Sequence, residues 1–211
     1  MSGVRMGEIA LATVGTELVA LGLGSCIGLA IVDWSAGVAG LAHVVLPESG
    51  GRSDEPGKFA DTAVPELLRL LARAGARRLE AAMAGGARMF QTSGGLDIGA
   101  RNEQAVRAAL SAERITVRAA QTGGGQGRTI RVSLADGLVT VRVAGEQPVK
   151  LIESGARAGS SPGASASSRG GRPAATARGG GQPQPPGVRA QAGLRAGLGS
   201  PEAVAITGGL R

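Results

Sequence analysis

Residues 21–46 read LGLGSCIGLAIVDWSAGVAGLAHVVL, and this stretch holds the only cysteine, Cys26, and the only histidine, His43, of the 211-residue chain. Its outline is that of a hairpin: residues 26–33 and 38–46 are two apolar runs, with Trp34 to Gly37 between them as the turn. A turn of two or three residues would set Cys26 directly opposite His43. Opposed side chains on one face have Cβ atoms about 4.5–5.5 Å apart, a separation over which an imidazole nitrogen reaches a thiol. An imidazole that takes the thiol proton turns a group of pKa about 8.5 into a usable nucleophile. Just ahead, Gly22 and Gly24 let the backbone turn tightly, and the N–H groups of Ser25 and Cys26 are candidates to hold an oxyanion. The same two residues also suit plain packing, because free cysteine is among the most buried residue types and a lone histidine is often a hydrogen-bonded core residue. Spacing alone leaves both readings open.

Working outward, residues 7–12 and 17–24 read as short strands before the hairpin. Residues 47–57 (PESGGRSDEPG) are dense with turn formers and read as a loop, placed right after the His43 strand and so expected over the site. Asp61 and Thr62 offer N-cap chemistry for a helix to about Ala74, with Val64, Leu67, Leu68 and Leu71 as its apolar face, Pro65 in its first turn and Gly75 as its stop. A strand over 78–84 follows, running into Gly85, Gly86 and Ala87; with Met89 and Phe90 these read as a tight turn and two core anchors rather than as walls of a substrate channel. A second helix is expected from Asn102, as its cap, to Ala112, with Arg101 just ahead. Then come a strand over 115–119, the loop TGGGQG, and a second hairpin in which Asp136-Gly137 is the two-residue turn between alternating Ile130, Val132, Leu134 and Val139, Val141, Val143. The fold class is α+β: largely antiparallel strands with two main helices.

Composition divides the chain near Leu151. Residues 1–151 have the make-up of one domain. Residues 152–211 carry seven arginines, two glutamates, six of the ten prolines and no aromatic residue, and are filled with Gly, Ala and Ser. Such a segment cannot bury enough apolar surface to offset the entropy of ordering and is expected to be a disordered tail. The division changes the meaning of the net charge of +7: of 23 basic and 16 acidic residues, 7 and 2 lie in the tail, so the domain has 16 against 14 and is nearly neutral. The tail's arginines are dispersed singly with no aromatic interleaved, which argues against specific nucleic-acid binding. Glu8 and Glu17 interrupt the apolar N-terminal stretches, so neither a secretory signal nor a membrane span is expected, and a cytoplasmic location is. A structural zinc site uses about four Cys or His ligands, and the chain has two, so no metal is expected.

The runs LGLGSCIGLAIVD, GLAHVVLP, SGG, PGKFADTAVPELL, AGGARMF and IGARN, in this order over roughly residues 4–150, resemble the CheD-type chemoreceptor glutamine deamidases of bacterial chemotaxis. That resemblance implies an α/β/β sandwich related to the catalytic domains of certain deamidating toxins. It also implies papain-like Cys-His chemistry without a cofactor, acting on glutamine side chains of receptor cytoplasmic domains. The family's nucleophile falls on Cys26 and its general base on His43. A third residue, a threonine six positions before the cysteine that helps hold the imidazole, falls on Ala20, which has no hydroxyl; orientation must then come from a backbone carbonyl, a water, or a hydroxyl such as Thr13 or Thr16. The substitution leaves a second function open, a catalytically weak binding module that docks on receptors or on a CheC-type phosphatase.

Overall fold

A computed structural model describes residues 1–51, 54–89 and 97–155. The central hairpin is formed by β4 (Ile27–Asp33) and β5 (Val38–Val44), antiparallel and buried along their whole length. Both faces of each strand are covered, which is why they read as continuous apolar runs rather than as an alternation. Along β4 and the residue before it, Cys26, Ala30 and Val32 face a second sheet, while Ile27, Leu29 and Ile31 face helices. In chain order the other elements are β1 (Ser2–Gly3), β2 (Ile9–Thr13), β3 (Glu17–Leu23), α1 (Ala60–Arg73), β6 (Glu80–Gly85), α2 (Ile98–Ala112), β7 (Val117–Thr122), β8 (Arg128–Ser133), β9 (Leu138–Val143) and β10 (Val149–Glu153).

These elements build three layers. One sheet has the order β1-β3-β8-β9-β10 and the other β2-β5-β4-β6-β7; only β1 with β3 and β6 with β7 run parallel. The sheets share one core, and α1 and α2 cover the outer face of the β4–β5 sheet through a second core. The expected α/β/β sandwich is therefore the fold. Small residues on β4 and β5 make room for large ones opposite: a Cβ on Gly28 would lie 2.6 Å from Ile130 Cγ2 and 2.7 Å from Leu23 Cδ1, and one on Gly40 would lie 2.4 Å from Leu67 Cδ1. Burial of Leu67 and Leu71 on α1 contributes about 1.5–3 kcal/mol each to holding that helix on the sheet.

Several local expectations change. The loops of both hairpins hold four residues, since Asp33 pairs with Val38 and Ser133 with Leu138; Asp136-Gly137 is the second half of its turn. Asp33 fixes the first loop by accepting from the Ser35 and Ala36 N–H groups, and Ser133 Oγ bonds Asp136 in the second. Helix α1 begins at Ala60 after Phe59, with no side-chain cap. Asp61 accepts instead from Ser49, and Thr62 Oγ1 donates to the Pro56 carbonyl, so both tie the 47–57 loop back to the helix. Pro65 lies past the first turn. The stop at Gly75 holds: its N–H donates to Ala72 O and that of Ala76 to Leu71 O, with Gly75 left-handed. Helix α2 starts four residues before the expected cap, with Asp97 accepting from Ala100 N–H. Strands β1 and β10 had no expectation behind them. Ile152 in β10 is buried, so ordered structure passes Leu151, the position of the composition break. The rest of the expected tail, 156–211, lies outside the described residues.

Candidate active site

Cys26 sits where the chain crosses from one sheet to the other. Strand β3 ends at Leu23 in the first sheet, β4 begins at Ile27 in the second, and residues 24–26 are the crossing. Left-handed Gly22 turns the chain, with the Gly24 N–H on the Gly22 carbonyl. The next three carbonyls are each held: Gly24 O by Ala87 N–H at 2.7 Å, Ser25 O by Asn102 Nδ2 at 2.9 Å, and Cys26 O by Gly86 N–H at 2.9 Å. Gly85 must lack a side chain, because a Cβ there would lie 2.1 Å from Cys26 O. Among the described residues no carbonyl takes the N–H of Ser25 or Cys26. The Ser25 N–H is thus without a backbone acceptor among the described residues, while the Cys26 N–H is directed at its own sulfur.

The four-residue loop corrects the register. His43 pairs with Gly28, not with Cys26. Cys26 lies two residues before Gly28 and so is the diagonal neighbour of His43 on the face between the sheets. Such neighbours lie about 7–8 Å apart, and no hydrogen bond joins the two side chains. His43 is 3% exposed and Cys26 8%. His43 Nδ1 lies 3.2 Å from the carbonyl oxygen of Val4. A carbonyl only accepts, so Nδ1 carries the proton and Nε2 keeps a lone pair. Nε2 is buried and has no partner among the described residues. The N-terminal segment thus straps the imidazole: Val4 N–H donates to Val19 O of β3, while Gly7 N–H donates to His43 O and His43 N–H to Glu8 O.

Electrostatics keeps both groups neutral at rest. Burial pushes the Cys26 thiol above its ordinary value, its own backbone N–H pulling weakly the other way. Burial pushes His43 below its ordinary value, against the Val4 carbonyl and the Glu8 carboxylate. The two groups are therefore a neutral thiol and an unprotonated imidazole rather than a standing thiolate–imidazolium pair. Ala20, fully buried on β3 opposite Ile130, belongs to the same intersheet core as Cys26. The partner of His43 Nδ1 is the Val4 carbonyl, not the hydroxyl of Thr13 or Thr16.

The remaining candidates separate. Gly85 and Gly86 are left-handed and Ala87 is buried, in keeping with a tight turn. Met89 is 48% exposed and lies over Gly24, so it is no core anchor; Phe90 lies outside the described residues. Asn102 is not a cap but a fully buried residue inside α2. Two features had not been anticipated, the Val4 strap and the Asn102 bonds. The second left a signal: Asn102, Val106 and Leu110 recur every four residues, which puts a polar side chain on the buried stripe of the helix. Among the described residues no three His, Cys, Asp or Glu side chains are grouped to share a metal, and no helix is long and apolar enough to cross a membrane.

Comparison with known proteins agrees with this architecture. The family model for CheD chemotactic sensory transduction matches residues 45–143. The chemoreceptor glutamine deamidase CheD of Thermotoga maritima is 44% identical over 153 residues, covering 71% of this chain and 97% of that protein. A probable chemoreceptor glutamine deamidase CheD of Symbiobacterium thermophilum is 44% identical over 154 residues, covering 69% of this chain and 93% of that protein. The one from Methanococcus vannielii is 43% identical over 147 residues, covering 68% and 95%. With more than nine-tenths of each relative spanned at this identity, the chain belongs to the CheD family of chemoreceptor glutamine deamidases.

Proposed function

We propose that this chain deamidates glutamine side chains of chemoreceptors, with Cys26 as nucleophile and His43 as general base. The observation that carries the reading is the state of His43: the only imidazole in the sequence lies on the same intersheet face as the only thiol, with Nδ1 held by Val4 O and Nε2 left as a buried, unpartnered lone pair. The relatives' names supply the reaction class and the receptor as substrate.

The steps follow from the resting state. Nε2 takes the thiol proton as sulfur attacks the carboxamide carbon, forming the C–S bond and an oxyanion that the Ser25 N–H, without a backbone acceptor among the described residues, is disposed to receive, with the Cys26 N–H beside the sulfur. The imidazolium returns the proton to nitrogen, the C–N bond breaks, and ammonia leaves a thioester. Nε2 then takes a proton from water, hydroxide adds to the thioester, and the collapse releases a carboxylic acid and the thiolate, which takes the proton back from the imidazolium. Each turnover adds one negative charge to the receptor at neutral pH. The Val4 carbonyl gives the imidazole an acceptor where Ala20 offers none, which supports the enzyme reading over a binding module.

The test is ammonia release from receptor cytoplasmic fragments, with peptide mass spectra showing a gain of about one unit per converted glutamine. Cys26→Ala is expected to abolish the gain. If Cys26→Ala deamidates as well as the parent, the thioester mechanism is wrong.

A further inference from the structure

Where the β4–β5 ladder ends, something else must hold the Cys26 loop to the His43 strand. The last ladder pair is Ile27 with Val44. Beyond it β5 turns away, and the N–H groups of Val45 and Leu46 both go to the Lys58 carbonyl. On the other side, Gly24 and Cys26 are held by Ala87 and Gly86, at the end of β6. Neither set of bonds joins residues 24–26 to residues 44–46. One side chain does. Asn102 Nδ2 donates to Ser25 O at 2.9 Å and to Val45 O at 2.8 Å, so the two protons of one amide nitrogen go to the residue before the nucleophile and the residue two beyond the base.

We propose that Asn102 is a positioning residue for deamidation, its amide clasping the Cys26 loop to the end of the His43 strand. This inference rests on the functional reading of Cys26 and His43. Two further observations support it. Asn102 is fully buried on the stripe it shares with Val106 and Leu110, where an aliphatic side chain would serve the helix better, and its Oδ1 is buried without a partner. Gly99, one turn earlier, lets α2 come close enough: a Cβ there would lie 2.4 Å from Gly86 O. The helix that covers the sheet thus also sets the distance across which Nε2 must reach the thiol.

The test compares Asn102→Ala and the isosteric Asn102→Asp with the parent, all as full 211-residue chains. Two quantities are read: kcat and KM for ammonia release from receptor cytoplasmic fragments, and the pH profile of iodoacetamide alkylation of Cys26, the only thiol present. A displaced nucleophile should lower kcat about 10- to 100-fold with KM nearly unchanged. It should also move the alkylation profile toward that of His43→Ala. At low pH the carboxyl introduced by Asn102→Asp is protonated and donates to one carbonyl again, so that variant should recover part of the parent's alkylation behaviour there while Asn102→Ala does not. A parent-like profile in a folded variant overturns the proposal, as does loss of the fold in both variants, which would make Asn102 a residue of the fold only. The alkylation arm uses no receptor. If the parent releases no ammonia, the functional reading fails while the clasp is still judged.

Discussion

His43 shows how one side chain depends on bonds from several elements. Its nitrogen Nδ1 is fixed by a carbonyl of the N-terminal strap, its backbone is bonded on both sides by Gly7 and Glu8, and its burial keeps it unprotonated at neutral pH. Adding a hydroxyl nearby has little left to do. Ala20→Thr is therefore expected to leave kcat within a few-fold of the parent, because Nδ1 already has its acceptor, and to lower stability by about 1–3 kcal/mol, because Ala20 is fully buried in a packed core. With His43 as the proposed base, its lowered pKa is expected to set the acidic limb of kcat/KM. Activity should persist below pH ~6.5 and fall only as the imidazole protonates at a lower pH, with the same limb in Ala20→Thr. A gain of tenfold or more in Ala20→Thr would mean that Val4 O does not orient the imidazole. That Cys26 and His43 lie on one intersheet face was legible from the hairpin between them, although they are diagonal and not direct neighbours. The strap was not, since Val4 carries no periodicity and its contribution is a backbone oxygen, which no side-chain pattern reports.

Strands and helices were legible where hydrophobic periodicity ran long, and less so where a turn set the register. The β4–β5 pair and the amphipathic face of α1 followed from apolar runs, whereas the length of the turn depends on Asp33. Burial alone would raise its pKa, yet bonds from Ser35, Arg77, Arg78 and Ala36 hold it well below the usual carboxylate range. Those bonds come partly from residues more than forty positions away, so the turn at residues 34–37 was legible but not that all four stay out of the ladder, as the His43–Gly28 pairing requires. The end of β6 carries a similar long-range demand, and it can be tested. Gly85→Ala would put a methyl 2.1 Å from the Cys26 carbonyl in a backbone conformation at φ +115, breaking the approach that fixes the nucleophile loop. It should cost about 1–3 kcal/mol in stability and lower kcat about 100-fold. Gly15→Ala is the control, at φ +94 with nothing within 4 Å and in the turn between β2 and β3: a similar backbone penalty, read by thermal melting, with kcat unchanged. Equal kcat losses in both would show that the effect is general destabilisation.

For the molecule as a whole, the question is where the folded unit stops. Composition breaks near Leu151, but the packing continues: Ile152 is buried against the intersheet core, Glu153 pairs with Leu138, and Ser154 N–H donates to Gly137 O at 2.8 Å. Strand β10 is an edge strand of only five residues, so its last three carry much of its attachment. Beyond them the sequence has no aromatic residue, disperses its arginines singly and repeats Gly, Ala, Ser and Pro, a composition with little apolar surface to bury. Two truncations separate the compositional boundary from the structural one. Ending the chain after Gly155 should leave the melting temperature and deamidation rate close to those of the full chain, because the residues removed have a composition with little apolar surface to bury. Ending it after Leu151 should remove the burial of Ile152 and half of the β9–β10 ladder, a loss of about 2 kcal/mol that corresponds to about 4–8 °C in Tm for a domain of this size. Calorimetry of the three chains reads both boundaries at once. A drop for the chain ending at Gly155 would mean that residues 156–211 contribute to the folded unit, and equal stability of the two truncated chains would mean that β10 adds nothing beyond Leu151.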